Sequence, residues 1–264
     1  MSAFIELRRL SKHYGDNVVL ENLNCEVREG EFVTLVGASG CGKSTFLKML
    51  LGTEAASSGQ LLMADEPIAQ EPSAERGIVF QKYSVFPHLN VRENVALGIE
   101  FDESSALGRL FGQQRQAALT KADELLEAVG LGQSLKKYPH ELSGGMQQRL
   151  ALAQALIKKP KILLLDEPFG ALDPGIRKDM HELVLGLWRE YKLTIFMVTH
   201  DLQEGFHLGT RLWVFDKIRH DPQAPERFGS TITYDLTQRG DEAIPNNVNS
   251  KEMDEINTLL TAVG

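Results

Sequence analysis

Lys43 closes a glycine-rich run, Gly37-Ala38-Ser39-Gly40-Cys41-Gly42, and two hydroxyls follow it, Ser44 and Thr45. An apolar stretch, 32–36, precedes the run, and an apolar stretch with helical patterning, 45–51, follows it. Strand, glycine loop and helix in that order form the setting in which G-x-x-x-x-G-K-[ST] binds phosphate. The glycines let the main chain wrap closely around an anion. The loop and first helical turn (Gly37, Ser39, Gly40, Cys41, Gly42, Lys43, Ser44 and Thr45) then aim their N–H groups at it. The Lys43 ammonium is placed to reach β- and γ-phosphates, and the Ser44 hydroxyl to ligate Mg²⁺. A helix terminus supplies at most about 2 kcal/mol toward an anion, whereas micromolar affinity takes about 8 kcal/mol. Several N–H bonds, the lysine, the metal and the base must supply the difference.

Two other stretches carry matching chemistry. Ile162-Leu-Leu-Leu-Asp166-Glu167-Pro168 reads as an apolar strand ending in two carboxylates. Asp166 suits Mg²⁺, and Glu167 is a candidate general base for an attacking water. A solvated carboxylate pair is the plain alternative, and the upstream phosphate loop weighs against it. In Leu142-Ser143-Gly144-Gly145-Met146-Gln147-Gln148-Arg149, Ser143 is expected to cap a helix whose stripe is Met146, Leu150, Ala153 and Ile157. Gly144 and Gly145 leave the first N–H groups uncovered, which makes a second anion-binding helix start, this one without a lysine.

The elements that must position these groups follow from pattern. Residues 3–7, 18–27 and 32–36 read as strands, with turns at 14–17 and 28–30; 59–63 and 77–80 read as further strands. From 87 to 156 the pattern is helical, with Leu119, Ala122, Leu126 and Val129 on one stripe and a loop at 102–112. Strands resume at 162–165, 194–198 and 211–215, with a helix over 176–191. Such alternation indicates a mostly parallel sheet covered on both faces. The stretch from 216 reads as polar and irregular, ending in an amphipathic segment at 251–263.

Composition narrows the class. A 264-residue chain that is 42% hydrophobic and 24% charged suits one or two globular domains. Its formal net charge of −8 argues against a surface that coats nucleic acid. Two cysteines, Cys25 and Cys41, make no disulfide framework, and a reducing cytosol is expected. Charges at the N-terminus come too early for a secretory segment, and no apolar run approaches the roughly 20 residues that span a bilayer. A membrane role is therefore expected to come through a partner.

Taken in order, these motifs resemble the ATP-binding subunits of ABC transporters over residues 4–215. The resemblance rests on Tyr14, the phosphate loop, Gln81 in Val79-Phe80-Gln81, the run Leu142–Arg149, Asp166-Glu167-Pro168, Ala171-Leu172-Asp173 and His200 in Val198-Thr199-His200-Asp201. It implies an α/β P-loop NTPase fold: a RecA-like, mostly parallel core sheet with an antiparallel β-subdomain and a helical subdomain. The core and β-subdomain would take 1–86, the helical subdomain 87–156, the rest of the core 157–215, and a C-terminal extension 216–264. ATP and Mg²⁺ are the implied cofactors. Tyr14 would stack on adenine. Gln81 would contact Mg²⁺ or water, and His200 would touch the γ-phosphate and align the water. Lys43, Gln81, Glu167 and His200 would form the catalytic set, and Ser44, Gln81 and Asp166 the metal set. Ser143, Gly144 and Gly145 would bind ATP held by the other protomer of a dimer, and Asp173 would lie at the subunit interface.

The resemblance also implies partners: a second ATP-binding subunit, two transmembrane permease subunits and a periplasmic or extracellular solute-binding protein, with no nucleic acid. The chain would sit on the cytoplasmic face of a bacterial membrane. The few residues after His200 leave no room for the added regulatory domain of the sugar-importer kind. Glu167-Pro168-Phe169-Gly170-Ala171-Leu172-Asp173 is most similar to the nitrate/sulfonate/taurine importer group. Residues 216–235 are longer than that group's usual ending and resemble subunits that accompany urea- or guanidine-degrading enzymes. Gly205 stands where the family usually has alanine. Tyr83, Phe86, Pro87 and Leu89 either line a groove for a permease helix or pack within the helical subdomain. Alternatives are a soluble ABC-type ATPase acting on ribosomes or DNA, a nucleotide-gated module without turnover, and an exporter subunit. The first usually carries tandem nucleotide domains or a long coiled coil, and the second often lacks the base or the switch histidine.

Overall fold

A computed structural model describes residues 3–81, 84–103 and 110–237. Tyr83 and the segment 251–263 lie outside the described residues. The chain divides into two compact units, 1–73 with 192–264, and 74–191.

In the first unit, β1 (Ile5–Tyr14) and β2 (Asn17–Val27) form an antiparallel hairpin. Alternation accounts for them: Ile5, Leu7 and Leu10 are buried on one strand and Leu20, Leu23 and Val27 on the other. The strand expected to end at Leu7 continues through register shifts to Tyr14, where it pairs with Asn17. The shifts break the strict alternation on which the shorter estimate rested. β4 (Ser58–Met63) and β5 (Glu66–Pro67) complete an antiparallel sheet of order β2-β1-β4-β5.

The same unit holds the strands that lead to the phosphate loop. β3 (Phe32–Gly37), buried throughout, lies parallel between β8 (Thr194–Val198) and β9 (Arg211–Asp216). Burial on both faces explains their nearly unbroken apolar sequences. α1 (Lys43–Leu51) packs through Phe46, whose ring lies 6.1, 6.0 and 5.9 Å from those of Phe196, Trp213 and Phe215. These contacts fix the helix that starts at the loop. β10 (Thr231–Thr237) pairs antiparallel with β9, so the stretch after 216 is not wholly irregular as expected. Tyr234 and Leu236 pack against Val36, Leu202, Phe206, Leu212 and Val214.

In the second unit, β6 (Arg76–Val79) and β7 (Ile162–Asp166) run parallel, with Val79 opposite Leu165. Between them come α2 (Val91–Glu103), α3 (Gly112–Ala128) and α4 (Gly144–Leu156), matching the expected helical stretch; α5 (Pro174–Tyr191) follows β7. Arg92 on α2 pairs with Asp123 on α3 at 2.6 Å. Arg149 on α4 donates to the carbonyl of Val129 just past α3, at 2.8 Å. Gln154 on α4 reaches Asn94 on α2 at 3.1 Å. These bonds seat the helix that begins at Ser143. α6 (Leu202–Leu208) belongs to the first unit.

Candidate functional site

The phosphate loop leaves the C-terminal end of β3 and His200 follows the C-terminal end of the adjacent parallel strand β8, with Leu35 opposite Val198. In open α/β sheets ligands bind at such ends. Gly37 sits so close to β9 that a Cβ there would stand 2.3 Å from the Phe215 carbonyl oxygen. Gly42 caps α1 with φ 92° and ψ 5°, a left-handed conformation that disfavours any side chain. No side chain caps this helix start, so its first-turn N–H groups are directed at the place an anion would take.

The Lys43 side chain is 95% buried and folds back over its own loop, donating to the carbonyls of Gly37 and Ala38 at 2.7 and 2.8 Å. Its ammonium also lies 3.5 Å from Cys41 Sγ. Burial pushes the Cys41 thiol above its ordinary value while the Lys43 charge works against that shift. The thiol therefore acts as a compact apolar wall. Ser39 and Gly40 are exposed at the tip of the loop, and Ser44 and Thr45 are half-buried.

Tyr14 is 46% exposed at the end of the β1–β2 hairpin. Lys12 Nζ stands 4.7 Å from its ring centroid and pairs with Glu54 at 2.6 Å. Burial raises the Tyr14 phenol, Glu54 adds to that shift, and a hydrogen bond with Thr45 opposes it. The tyrosine is thus held beside the first turn of α1 with an accessible ring, an arrangement suited to stacking on a base. Sequence reasoning missed Lys12 and Glu54, because a lysine on an alternating strand has the signature of a solvated face.

His200 is exposed, and its neighbours are fixed. The N–H of Thr199 donates to Leu35 at 3.1 Å, and the Thr199 hydroxyl donates to the buried Glu204 carboxylate at 2.5 Å. Asp201 caps α6 by accepting from the N–H groups of Gln203 and Glu204. The histidine thus stands exposed on the short connection between a sheet strand and a capped helix.

In the second unit Gln81 and Glu167 leave the C-terminal ends of β6 and β7. The Gln81 amide donates to the Glu167 carboxylate at 3.0 Å, joining residues far apart in sequence. Glu167 has φ 48°, a left-handed conformation that costs a non-glycine residue about 1 kcal/mol or more. Asp166 and Glu167 are both half-buried, so the pair is not a freely solvated one.

Ser143 caps α4 as expected, its hydroxyl accepting from Met146 N–H at 3.3 Å. Ser143 and Gly144 are exposed, whereas Gly145 is buried against α5, where a Cβ would come 2.6 Å from Ile176 Cγ2. Leu150, Ala153 and Ile157 of the expected stripe are buried, and Met146 is half-buried. Asp173 accepts from Arg177 N–H through its carbonyl at 2.8 Å at the start of α5.

The donor set suits Mg²⁺ in kind: the Ser44 hydroxyl, the Gln81 amide oxygen and the Asp166 carboxylate are hard oxygen ligands. Among the described residues no three His, Cys, Asp or Glu side chains cluster as a metal cage. An ion held by one carboxylate, a hydroxyl and substrate phosphates needs none.

Residues 20–170 match the ABC transporter family. The chain is 42% identical over 196 residues to the aliphatic sulfonates import ATP-binding protein SsuB of Bacillus subtilis (strain 168), covering 74% of this chain and 72% of that one. It is 38% identical over 219 residues to the spermidine/putrescine import ATP-binding protein PotA of Bacillus thuringiensis (strain Al Hakam), covering 82% of this chain and 64% of the relative. Among solved structures, the dimeric post-hydrolysis state of the ATP-binding cassette MJ0796 bound to ADP and Pi superposes with a TM-score of 0.70 at 27% identity, over 89% of this chain and 99% of that one. The cbiO1 structure from Clostridium perfringens shares the fold, with a TM-score of 0.76 at 24% identity over 100% of this chain and 98% of that one.

Proposed function

The chain belongs to the ABC transporter family and is an ATPase of that family, and from that premise we propose that it hydrolyses ATP as half of a dimer that drives import of a small polar solute through separate membrane subunits. The observation that carries the reading is the Gln81–Glu167 pair: a carboxylate at a strand end, held at 3.0 Å by an amide that can follow the bound nucleotide. In this reading Gly37 to Thr45 wrap the phosphates, Lys43 turns from its own carbonyls to the β- and γ-phosphates, and Tyr14 stacks on adenine. Ser44, Asp166 and Gln81 would hold Mg²⁺, which would supply charge neutralisation at the phosphates. Glu167 takes a proton from the attacking water, and His200 aligns that water against the γ-phosphate.

Ser143, Gly144 and Gly145 at the start of α4 bind the γ-phosphate of ATP held by the partner protomer. ATP then acts as a bridge between protomers, and its hydrolysis opens them, a ligand-driven population shift. The dimeric MJ0796 structures, one of them bound to ADP and Pi, support association in pairs. Asp173 sits at the same interface. The import names of the sulfonate and spermidine/putrescine relatives support an importer; permease and solute-binding partners and a place at the inner face of the membrane complete the reading. Among the described residues no helix is long and apolar enough to cross a membrane. Phe86 and Pro87 are exposed and Leu89 is half-buried in a turn tied to Asn94, whose side chain bonds Phe86 N–H and the carbonyls of Phe86 and Leu89, and this turn suits a groove for a permease helix. A urea- or guanidine-type solute, or one of the sulfonate type, fits the sequence resemblance.

The test pairs two variants. Lys43→Ala should abolish ATP binding. Glu167→Gln should keep ATP and lose phosphate release by about 10²–10⁴-fold, and with ATP it should run as a dimer in light scattering, with permease present if the pair needs it. Full turnover in both variants would overturn the site.

A further inference from the structure

The connection between β9 and β10, residues 217–230, runs along the edge of β2 instead of turning tightly. Val18 N–H donates to the Glu226 carbonyl at 2.9 Å, Ser230 N–H to the Val19 carbonyl at 3.0 Å, and Glu21 N–H to the Ser230 carbonyl at 2.9 Å. Leu20 and Ser230 form a parallel bridge. Arg219 pairs with Glu21 and covers the Phe228 ring, 4.4 Å from its centroid. At Gly229 the two segments touch: a Cβ there would stand 2.9 Å from the Leu20 carbonyl carbon and 2.9 Å from Val18 Cγ1.

The stretch 18–21 also touches the phosphate loop. A Cβ on Gly42 would come 2.6 Å from Leu20 Cδ2 and 3.0 Å from Val19 Cγ1. Gly42 is the residue whose left-handed turn starts α1. The hairpin that carries Tyr14 opens at Asn17, one residue before this stretch. Residues 18–21 are therefore gripped on one side by the connection and meet the helix-capping glycine on the other. Packed interiors transmit displacements of a few tenths of an ångström.

We propose that residues 217–230 are a positioning brace for the nucleotide site: through Val19 and Leu20 they set where Gly42, and with it the anion-facing turn of α1, stands. The brace touches no reacting atom. It rests on the nucleotide reading above and adds to it a determinant of nucleotide affinity that lies outside every sequence motif.

The experiment titrates the full chain with a fluorescent ATP analogue and Mg²⁺, and records ATPase rates and melting temperature alongside. Gly229→Ala drives a Cβ into a main-chain carbon and should weaken binding about tenfold, since it displaces the turn whose N–H groups face the phosphates, with kcat at saturating ATP within about twofold. Arg219→Ala, on the surface, should fold readily and weaken binding by a smaller factor. Ser230→Ala keeps the main-chain bonds and removes a hydroxyl that is buried without a hydrogen-bond partner, so it should bind as the wild type does. Folded Gly229→Ala and Arg219→Ala proteins with wild-type affinity, whatever their melting temperature, overturn the brace. Equal weakening in Ser230→Ala overturns it too. A wild-type chain that binds no nucleotide overturns the site itself, a distinct outcome.

Discussion

Gln81 and Glu167 form one unit at the scale of single residues, because their side chains meet although they lie far apart in sequence. Glu167 stands in a left-handed conformation, and its carboxylate takes the Gln81 amide at 3.0 Å. Replacing Gln81 with alanine removes that donor and leaves the strand intact. Steady-state kinetics should show kcat falling about 10- to 100-fold, well short of the loss of the base itself, while KM for ATP changes less. A fall in affinity alone would mean that Gln81 binds substrate and does not position the base. The types and order of these residues were legible in the sequence, and so was the Lys43 loop. Their mutual geometry was not: the pairing of Gln81 with Glu167 depends on the register of β6 with β7, and the contact of Lys43 with Gly37 and Ala38 depends on how the loop closes.

Elements differ in how plainly they read. β3 and β8 are buried along their whole length, so their composition announces a central strand. β10 alternates only in part: Tyr234 and Leu236 share the face that packs on Leu212 and Val214, whereas a register shift sets Ile232 opposite Phe215 on the other face, and all three are only half-buried. Its partner β9 and the polar knot that fastens it are tertiary. Arg211 on β9 donates twice to Asp235 on β10, at 2.6 Å each, and Trp213 Nε1 donates to the same carboxylate at 3.0 Å. Cys25 on β2 donates to Asp235 at 3.2 Å. Burial pushes Asp235 upward, yet Arg211, the thiol and the indole outweigh it and hold the carboxyl below its ordinary value. Burial, with Asp235 beside it, pushes the Cys25 thiol from 9.0 up to about 12. The folded chain therefore keeps a proton that the unfolded chain releases. Stability from this group is complete below pH 9.0 and is lost as pH rises through about 12. In urea titrations from pH 8 to 11 (roughly the window these values set), wild-type stability should fall relative to Cys25→Ala. A difference that stays constant with pH would remove Cys25 from the knot.

For the whole molecule, charge and chain order matter more than any contact. Each chain carries a formal net charge of −8, so two copies repel as they approach. Nucleotide-driven association of Glu167→Gln should therefore strengthen as salt rises from about 10 to 150 mM, over which the Debye length shrinks from about 30 to 8 Å. Analytical ultracentrifugation would show the trend, and a dimer that weakens over this range would point to complementary charged faces. The division into two units was only partly legible: the pattern set the helical subdomain at 87–156 and the rest of the core at 157–215, whereas the compact units divide after 73 and after 191, bounds that depend on packing. The return to the first unit after 191 has a cost during synthesis. Residues 74–191 separate β3 from both strands that flank it, β8 and β9. At about 5–20 residues per second, the all-buried strand that leads into the phosphate loop waits roughly 10–30 s with two bare edges. A nascent chain in that interval presents an apolar ribbon to any neighbouring strand, so ribosome-associated holdases, more than the finished protein's stability, would govern how much of it matures.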